Sequence, residues 1–164
     1  MTDLGNLKYF LGVQVDGTSS GLFMYQSKYA QDILYRAQMQ TCNTMSTPMS
    51  ANLKSSDGQD QLYSNPRECR SLAGALQYLT LTRPDLSYAV NFACQFMHAL
   101  VVKHFQLLKR ILRYVRGTSQ YGIQFCKSKD LTLRAFSDTN WAGCPTTRRS
   151  TSRNCTFHSP NCIS

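Results

Sequence analysis

The chain has 164 residues, which is room for one ordinary domain or two small ones. Hydrophobic residues make up 42% and charged residues 16%, so the composition excludes a disordered chain. The net charge of +9 is unevenly placed: residues 1–100 carry seven basic and seven acidic side chains, and residues 101–164 carry eleven and two. This distribution excludes an evenly basic coat and indicates a localised anionic partner, nucleic acid before an acidic membrane surface.

Membrane and targeting segments are not expected in this sequence. The most apolar stretch, residues 92–102, is interrupted by Gln95 and His98 and is too short to span a bilayer. Asp3 and Lys8 precede any apolar run, which argues against a secretory signal. The seven cysteines are an odd number and include no C-x-x-C pair. We therefore expect reduced thiols and an intracellular protein, cytoplasmic or nuclear, that binds no membrane.

The N-terminal region, residues 1–41, predicts a β-hairpin followed by a helix. Apolar residues alternate with other residues through 7–15, which is typical of a half-buried strand. A glycine-bounded turn separates this strand from a return strand at 22–25. Residues 26–39 carry a rough apolar face and predict a helix, for which Ser27 is the expected N-cap.

A polar linker and three helices are predicted next. Residues 42–64 are rich in Ser, Thr, Asn, Asp and Gln and have no apolar periodicity, which is typical of a linker. Residues 65–117 carry three successive apolar stripes with helical spacing. Asn65, followed by a proline, is the expected N-cap of the first helix. Pro84 ends that helix because it disfavours helical geometry at the preceding residue, and Gly117 ends the third helix.

The C-terminal region, residues 118–164, changes to the two-residue period of strands. Residues 122–126 and 131–137 predict two strands with a turn at 128–130, and residues 150–157 predict a third. The expected fold class is therefore α+β: an N-terminal β-hairpin and helix, a three-helix segment, and an antiparallel sheet.

The third predicted helix carries the clearest basic surface. Lys109, Arg113 and Arg116 are spaced four and three residues apart and so share a helix face, which Arg110 flanks. No acidic residue occurs between Asp85 and Asp130, although a solvated helix face normally mixes charges of both signs. We interpret this face as a strip that follows a phosphate backbone, and a solvated basic face without a partner is the alternative.

Two weaker candidates lie in the C-terminal region. Arg148 and Arg149 sit among Ser and Thr residues, and hydroxyl and guanidinium groups together suit phosphate oxygens. Asp138 follows a predicted strand, where an acid is either a metal-binding carboxylate or an ordinary turn residue. A single carboxylate cannot hold two Mg²⁺ ions, and no acidic residue follows Asp138 in the sequence.

A zinc site in the same region is the less favoured alternative. Its candidate ligands would be Cys144, Cys155, His158 and Cys162. The paired C-x-x-C spacing of structural zinc sites is absent, so the sequence gives little support for zinc.

Several segments, in one order and covering nearly the whole chain, resemble the Pol polyproteins of copia-type LTR retrotransposons. The matching segments are DLG (3–5), LKYFLGV (7–13), QSKY (26–29), STPM (46–49), RSLAGALQYLTLTRPD (70–85), QFMH (95–98), KRILRY (109–114), SDTNWAGC (137–144) and TRRSTS (147–152). That family carries a reverse transcriptase and a ribonuclease H in one polyprotein, so the resemblance implies nucleic acid as the partner.

The resemblance assigns roles to parts of the chain. It implies that residues 1–41 hold the end of the reverse transcriptase palm, the primer-grip hairpin and a thumb helix. It places Phe10, Leu11 and Gly12 in that hairpin. After the 42–64 linker, residues 65–117 resemble the thumb and connection, and residues 118–164 the start of an incomplete, truncated ribonuclease H-like domain. Asp138 matches the first metal-binding acid of ribonuclease H, which holds Mg²⁺ in the intact family.

Departures from the family pattern bear on activity. The paired aspartates of the polymerase would lie before the first residue of this chain, and the later ribonuclease H acids would lie after its last. Asn140 stands where the family has Asp, Arg153 where it has Gly, and Leu100 where it has Pro. The resemblance therefore implies a truncated copy in which both catalytic carboxylate sets are incomplete.

We expect a Pol fragment that lacks catalytic turnover and bound Mg²⁺ on its own and that contacts an RNA–DNA hybrid or other nucleic acid through its basic surface. A complementing Pol fragment is a possible partner. The first alternative is a non-catalytic nucleic-acid-binding module. The second is a non-functional mobile-element remnant, made unstable because its third C-terminal strand would be an unpaired sheet edge.

Overall fold

The computed structural model describes residues 5, 7–50, 61–141 and 150–163, and these residues form a mixed α+β fold with four α-helices and two antiparallel sheets. The predicted α+β class is confirmed. In chain order the elements are β1 Tyr9–Phe10, β2 Val13–Thr18, β3 Gly21–Tyr25, α1 Ser27–Arg36, α2 Pro66–Leu79, a 3-10 helix Pro84–Leu86, α3 Ser87–Cys94, α4 Val102–Gly117, β4 Gly122–Cys126, β5 Leu133–Asn140, β6 Thr151–His158 and β7 Asn161–Cys162.

The chain divides into two compact units. The first unit consists of Met1–Val15 and Met24–Ile123, and the second of Asp16–Phe23 and Gln124–Ser164. None of the helices in the described part of the chain is both long and apolar enough to cross a membrane.

The N-terminal strand is interrupted where an unbroken strand was predicted. β1 and β2 form a tight antiparallel hairpin in which Phe10 pairs with Val13. The two residues between them, Leu11 and Gly12, have φ angles of 47° and 80°. Two-residue hairpins favour positive φ at both turn positions, so the chain reverses here. The prediction of one strand through 7–15 was wrong because the alternation of apolar residues continues unchanged across a two-residue turn.

Helix α1 begins as predicted but with a different cap. Gln26, not Ser27, occupies the N-cap position, and its side chain makes no capping hydrogen bond. The Ser27 hydroxyl instead accepts a hydrogen bond from Gln120 Nε2 at 3.0 Å, so the predicted Ser27 cap was wrong. The helix ends in a Schellman motif: Gln38 has a φ of 55°, and the Met39 amide donates to the Leu34 carbonyl oxygen at 2.9 Å.

The three helices predicted for residues 65–117 are confirmed as α2, α3 and α4. The Asn65 side chain caps α2 by accepting a hydrogen bond from the Glu68 amide at 3.3 Å, and it donates to the Glu68 carboxylate at 3.0 Å. The α4 helix ends at Gly117 as expected. Their apolar faces meet in the core of the first unit, where Leu76 and Leu112 have no exposed surface.

The C-terminal strands form a different arrangement from the predicted one. Strand β4 joins the N-terminal strands in a sheet of order β1-β2-β3-β4, and β5, β6 and β7 form a separate sheet in that order. The predicted turn at 128–130 therefore connects two sheets. The expectation of an unpaired third strand was also wrong, because β6 lies between β5 and β7 and pairs with β5 from Thr151 to His158.

Candidate nucleic-acid interface

The basic face of α4 follows from the spacing of its apolar residues. Leu108, Ile111, Leu112 and Val115 turn into the core, which places the intervening cations at the surface of the helix. The cations are Lys109, which is exposed, and Arg110, Arg113 and Arg116, which are half-buried. We call these four residues the α4 basic row.

The three arginines of this row hold residues 42–47, a segment that we call the strap. Arg110 Nη2 donates to the Thr47 hydroxyl at 2.8 Å, and Arg113 Nε donates to the Asn43 carbonyl oxygen at 2.6 Å. Arg116 donates to the carbonyl oxygen of Cys42. The strap, which belongs to the predicted 42–64 linker, therefore lies along α4 and orders the guanidinium groups.

The strap leaves the charge of the basic row in place. All three acceptors are neutral oxygens, so these hydrogen bonds fix the arginine side chains without neutralising them. A guanidinium has five N–H donors, and each strap contact uses only part of that capacity. Lys109 lies with its Nζ 4.9 Å from the centroid of the Phe105 ring, a cation–π contact that also preserves its charge.

The β1–β2 turn forms a second candidate surface. Phe10 is 60% exposed and Leu11 70% exposed, although both are large and apolar. The Tyr78 hydroxyl of α2 donates a hydrogen bond to the Leu11 carbonyl oxygen. The Lys28 amide donates to the Gln14 side chain at 3.2 Å, which ties β2 to α1. The turn is thus anchored through polar contacts, and its apolar side chains point away from the core.

The predicted binding residues fall into separate groups. Lys109, Arg110, Arg113 and Arg116 come together on one helix, and Phe10, Leu11 and Gly12 form one turn of the first unit. Arg148 and Arg149 lie outside the described residues. The contribution of each group to binding stays a prediction.

Asp138 lies in β5 of the second unit, opposite Arg153 in the strand register, and its side chain is exposed. No group of three or more His, Cys, Asp or Glu side chains converges among the described residues. Two-metal chemistry needs several carboxylates around ions about 4 Å apart. The described residues around Asp138 therefore do not fit a two-magnesium centre.

The zinc alternative gains no support from the described strands. Cys155 and Cys162 are close, with their Sγ atoms 3.7 Å apart. His158 is three residues from Cys155 on β6, so strand alternation places it on the opposite face of the sheet. Cys144, the fourth candidate ligand, lies outside the described residues.

A buried arginine is the main polar feature that the sequence analysis missed. Arg83 is only 2% exposed. It binds Asp85 through two hydrogen bonds, Nε to Oδ1 at 2.9 Å and Nη2 to Oδ2 at 2.7 Å. It also donates to the carbonyl oxygen and the hydroxyl of Thr118, at 2.7 and 2.8 Å. Arg83 therefore fastens the C-terminal end of α4 to the turn before α3.

The surroundings of Arg83 compensate for burying its charge. The rings of Tyr114 and Tyr121 lie near the guanidinium, with centroids 5.6 and 5.3 Å away. Burial acts to raise the pKa of the Asp85 carboxyl, but the hydrogen bonds and charge of Arg83 and a hydrogen bond from Tyr114 hold that pKa below its ordinary value. The Arg-Pro-Asp order at 83–85 was the available signal, since it sets the two charges two residues apart.

Comparison with known proteins identifies relatives along the whole chain. The chain is 52% identical over its 164 residues to an uncharacterized mitochondrial protein of Arabidopsis thaliana, of which it covers 68%. It is 45% identical over 141 residues, 86% of its length, to the retrovirus-related Pol polyprotein from transposon RE1 of the same plant. It is 32% identical over 154 residues, 87% of its length, to the retrovirus-related Pol polyprotein from transposon TNT 1-94 of Nicotiana tabacum.

The chain corresponds to a small part of the two Pol polyproteins, 10% and 11% of their lengths. No family model matches the chain, and no solved structure matches it.

Proposed function

The chain belongs to the Pol polyproteins of copia-type retrotransposons, and on that premise we propose that it binds an RNA–DNA hybrid through the α4 basic row without polymerase or nuclease turnover of its own. The binding proposal rests mainly on how the three arginines of that row are hydrogen-bonded. They are ordered by neutral strap oxygens and keep their charge, so an anionic backbone gains their electrostatic attraction without the entropic cost of ordering them first.

The distribution of charge supports the same surface. The excess positive charge of the chain lies entirely beyond residue 100, and α4 contributes five of the eleven basic residues there. The helix is rigid, with its apolar side fixed in the core, so its cations keep a constant spacing. Such a row suits phosphates that repeat along a strand, because contacts to phosphate depend on charge and position and not on base sequence.

The β1–β2 turn supports a second contact with the same ligand. Its exposed Phe10 and Leu11 could pack on sugars or bases, while the Tyr78 contact holds the turn backbone in place. The resemblance to the primer-grip hairpin favours this assignment. Stacking of exposed aromatic rings on bases is a common, sequence-tolerant means of binding nucleic acid.

The absence of turnover is proposed from the acidic residues of the chain. Asp130 and Asp138 are the only acids beyond residue 100, and the polymerase aspartate pair of the family is not in the sequence. The purified chain with Mg²⁺ should leave the RNA strand of an RNA–DNA hybrid intact. Cleavage that is abolished in Asp138→Asn would contradict this part of the proposal.

The binding proposal is tested by fluorescence anisotropy of a labelled RNA–DNA hybrid over a series of salt concentrations. The triple variant Lys109→Ala, Arg113→Ala, Arg116→Ala should bind more weakly. The slope of log K against log salt should become shallower by about 0.9 for each phosphate that the variant no longer neutralises. Lys109→Ala alone gives a second measurement that leaves the strap hydrogen bonds untouched.

A matched control removes the same charge elsewhere. Arg36, Arg67 and Lys127 are exposed and lie outside α4, so their combined change to Ala should shift the affinity and the salt slope much less. Circular dichroism checks that each variant is folded. An affinity that does not depend on salt, or an equal weakening in the control variant, would contradict binding through the α4 basic row.

A further inference from the structure

Two cysteines of the second unit are neighbours across paired strands. The Sγ atoms of Cys155 and Cys162 are 3.7 Å apart. Strand β6 pairs with β7 so that Phe157 is opposite Cys162. Because Cys155 is two residues before Phe157, both thiols lie on the same face of the sheet as diagonal neighbours. The contact thus follows from the register of the hairpin.

We propose that Cys155 and Cys162 are a reversible oxidation site, at which hydrogen peroxide converts the two thiols into an intramolecular disulfide. One thiolate attacks a peroxide oxygen, the O–O bond breaks, and a sulfenic acid and hydroxide form. The hydroxide takes up the proton that the thiol released on ionisation and becomes water. The second thiolate then attacks the sulfenic sulfur, which forms the S–S bond and breaks the S–O bond. The hydroxide that leaves takes up the proton released by the second thiol and becomes the second water. The two sulfur atoms together lose two electrons, and these reduce one peroxide to two waters.

The geometry needs only a small adjustment for the bond to form. A disulfide has an S–S length of about 2.05 Å, so the sulfur atoms must approach by roughly 1.7 Å. Rotation of the two side chains can supply part of this movement. Strand β7 is only two residues long, Asn161–Cys162, and its backbone is held by hydrogen bonds between the Asn161 side chain and the Cys126 backbone. The remaining approach is therefore a small local adjustment of the β6–β7 turn at Ser159 and Pro160.

Solvent access distinguishes Cys155 and Cys162 from Cys69 of the helical core. Cys155 and Cys162 are both partly exposed, whereas Cys69 has no exposed surface. Burial raises the pKa of the Cys69 thiol to about 11, so little thiolate forms there at neutral pH. The hydrogen bond with Cys162, and then burial, raise the pKa of Cys155, so its oxidation should accelerate as the pH increases.

The experiment uses the full chain, treated with hydrogen peroxide, alkylated with N-ethylmaleimide and digested with chymotrypsin. Cleavage after Phe157 separates Cys155 from Cys162 in sequence, so mass spectrometry should find two peptides that are joined until dithiothreitol is added. The joined species should come from monomeric protein on a non-reducing gel. Its yield at a fixed time should increase between neutral and mildly alkaline pH.

Two serine variants control the assignment. Cys162→Ser should abolish the joined peptides and leave a sulfenic acid at Cys155 that dimedone traps. Cys42→Ser, which changes a half-buried cysteine of the first unit, should leave the yield unchanged. Circular dichroism confirms that each variant is folded. Recovery of Cys155 and Cys162 as separately alkylated thiols, or linkage of either to another cysteine such as Cys126 or Cys144, would overturn the proposal.

Discussion

The helical unit and the β5–β7 sheet use their apolar residues in opposite ways. Every buried hydrophobic side chain among the described residues belongs to the first unit, and Leu76 has no exposed surface at all. On β5, every residue from 133 to 139 is exposed, with Leu133 at 65% and Phe136 at 61%. Both regions form backbone hydrogen bonds, within helices or between paired strands, but the first unit buries far more apolar surface, and that burial is the main source of folding stability.

Both faces of the β5–β7 sheet mix apolar and polar residues: Arg134 and Asp138 share a face with Phe136, and Leu133 lies on the other face. Phe136 of β5 lies opposite Cys155 of β6, and it makes an edge-to-face contact with Phe157, with ring centroids 6.1 Å apart. The other face carries Ala135 and Thr156 at paired positions. A three-stranded sheet of this kind is near the lower limit for independent stability. We therefore expect the first unit to dominate the measured stability of the chain.

The largest effect should come from a cavity in the helical core. Leu76→Ala removes atoms of a fully buried side chain of α2 in the core of the first unit, and a fully buried leucine costs about 2–5 kcal/mol when truncated to alanine. Leu133→Ala is the matched change on β5, and its destabilisation should be much smaller because most of that side chain is already in water. Urea denaturation followed by circular dichroism of the helices measures both.

The comparison between the units would fail if the two leucine variants showed similar decreases in the free energy of unfolding. It would also fail if Leu133→Ala were the more destabilising. Either result would mean that the apolar residues of β5 are buried in the folded protein in solution.

Some of this contrast could be predicted from the sequence. The apolar spacing in 65–117, the Asn65 cap and the Gly117 end identify α2, α3 and α4, because helices depend on contacts within a few residues. The pairing of β4 with the N-terminal sheet could not be predicted, because it joins residues about a hundred positions apart. The β1–β2 turn was also missed, because Leu11 rarely adopts positive φ and gives no turn signal.

The candidate interface, too, could be predicted only where it depends on residues close together in the sequence. The basic row on α4 follows from spacing alone, since residues three and four positions apart share a helix face. Its anchoring by Cys42, Asn43 and Thr47 depends on contacts between segments more than sixty residues apart in the sequence, so the strap looked like a free linker. The burial of Arg83 was equally hidden, because it depends on Thr118 and two tyrosines at the far end of α4.

The next largest effect should come from the buried arginine of the first unit. Asp85→Asn leaves the Arg83 guanidinium without its carboxylate. Breaking a fully buried pair costs about 3–5 kcal/mol, and we expect about 1–3 kcal/mol here because solvent screens a partner that is partly exposed. The Asp85 side chain is 39% exposed. Asn keeps the size of Asp but has one acceptor oxygen where Arg83 donates to two, so urea denaturation of this variant measures the loss of the charge together with the loss of one hydrogen bond.

Acid should reveal the same interaction through its pH dependence. Because the folded pKa of Asp85 is lower than its unfolded value of about 3.9, the carboxylate contributes stability that is fully present above the unfolded value. That contribution disappears as the pH decreases through the lowered folded pKa. The difference in unfolding free energy between the wild type and Asp85→Asn should therefore shrink as the pH decreases below about 4. A constant difference across this range would contradict the charge interaction.

The smallest effect should come from single side-chain hydrogen bonds to backbone amides, one at the start of α2 in the first unit and one before β5 in the second. Asn65→Ala removes the side-chain acceptor for the Glu68 amide at the start of α2, and removal of such a cap costs about 0.5–2 kcal/mol. Asn65→Ser keeps an oxygen that can accept the same hydrogen bond and should recover most of that stability.

In the second unit, the Asp130 carboxylate accepts a hydrogen bond from the Thr132 amide at 2.9 Å before β5 begins. Asp130→Ala should leave the urea midpoint of the helices unchanged, because that turn lies outside the unit that buries the core. A shifted urea midpoint in Asp130→Ala would show that the two units unfold together. Equal destabilisation by Asn65→Ala and Asn65→Ser would show that the cap hydrogen bond does not stabilise α2.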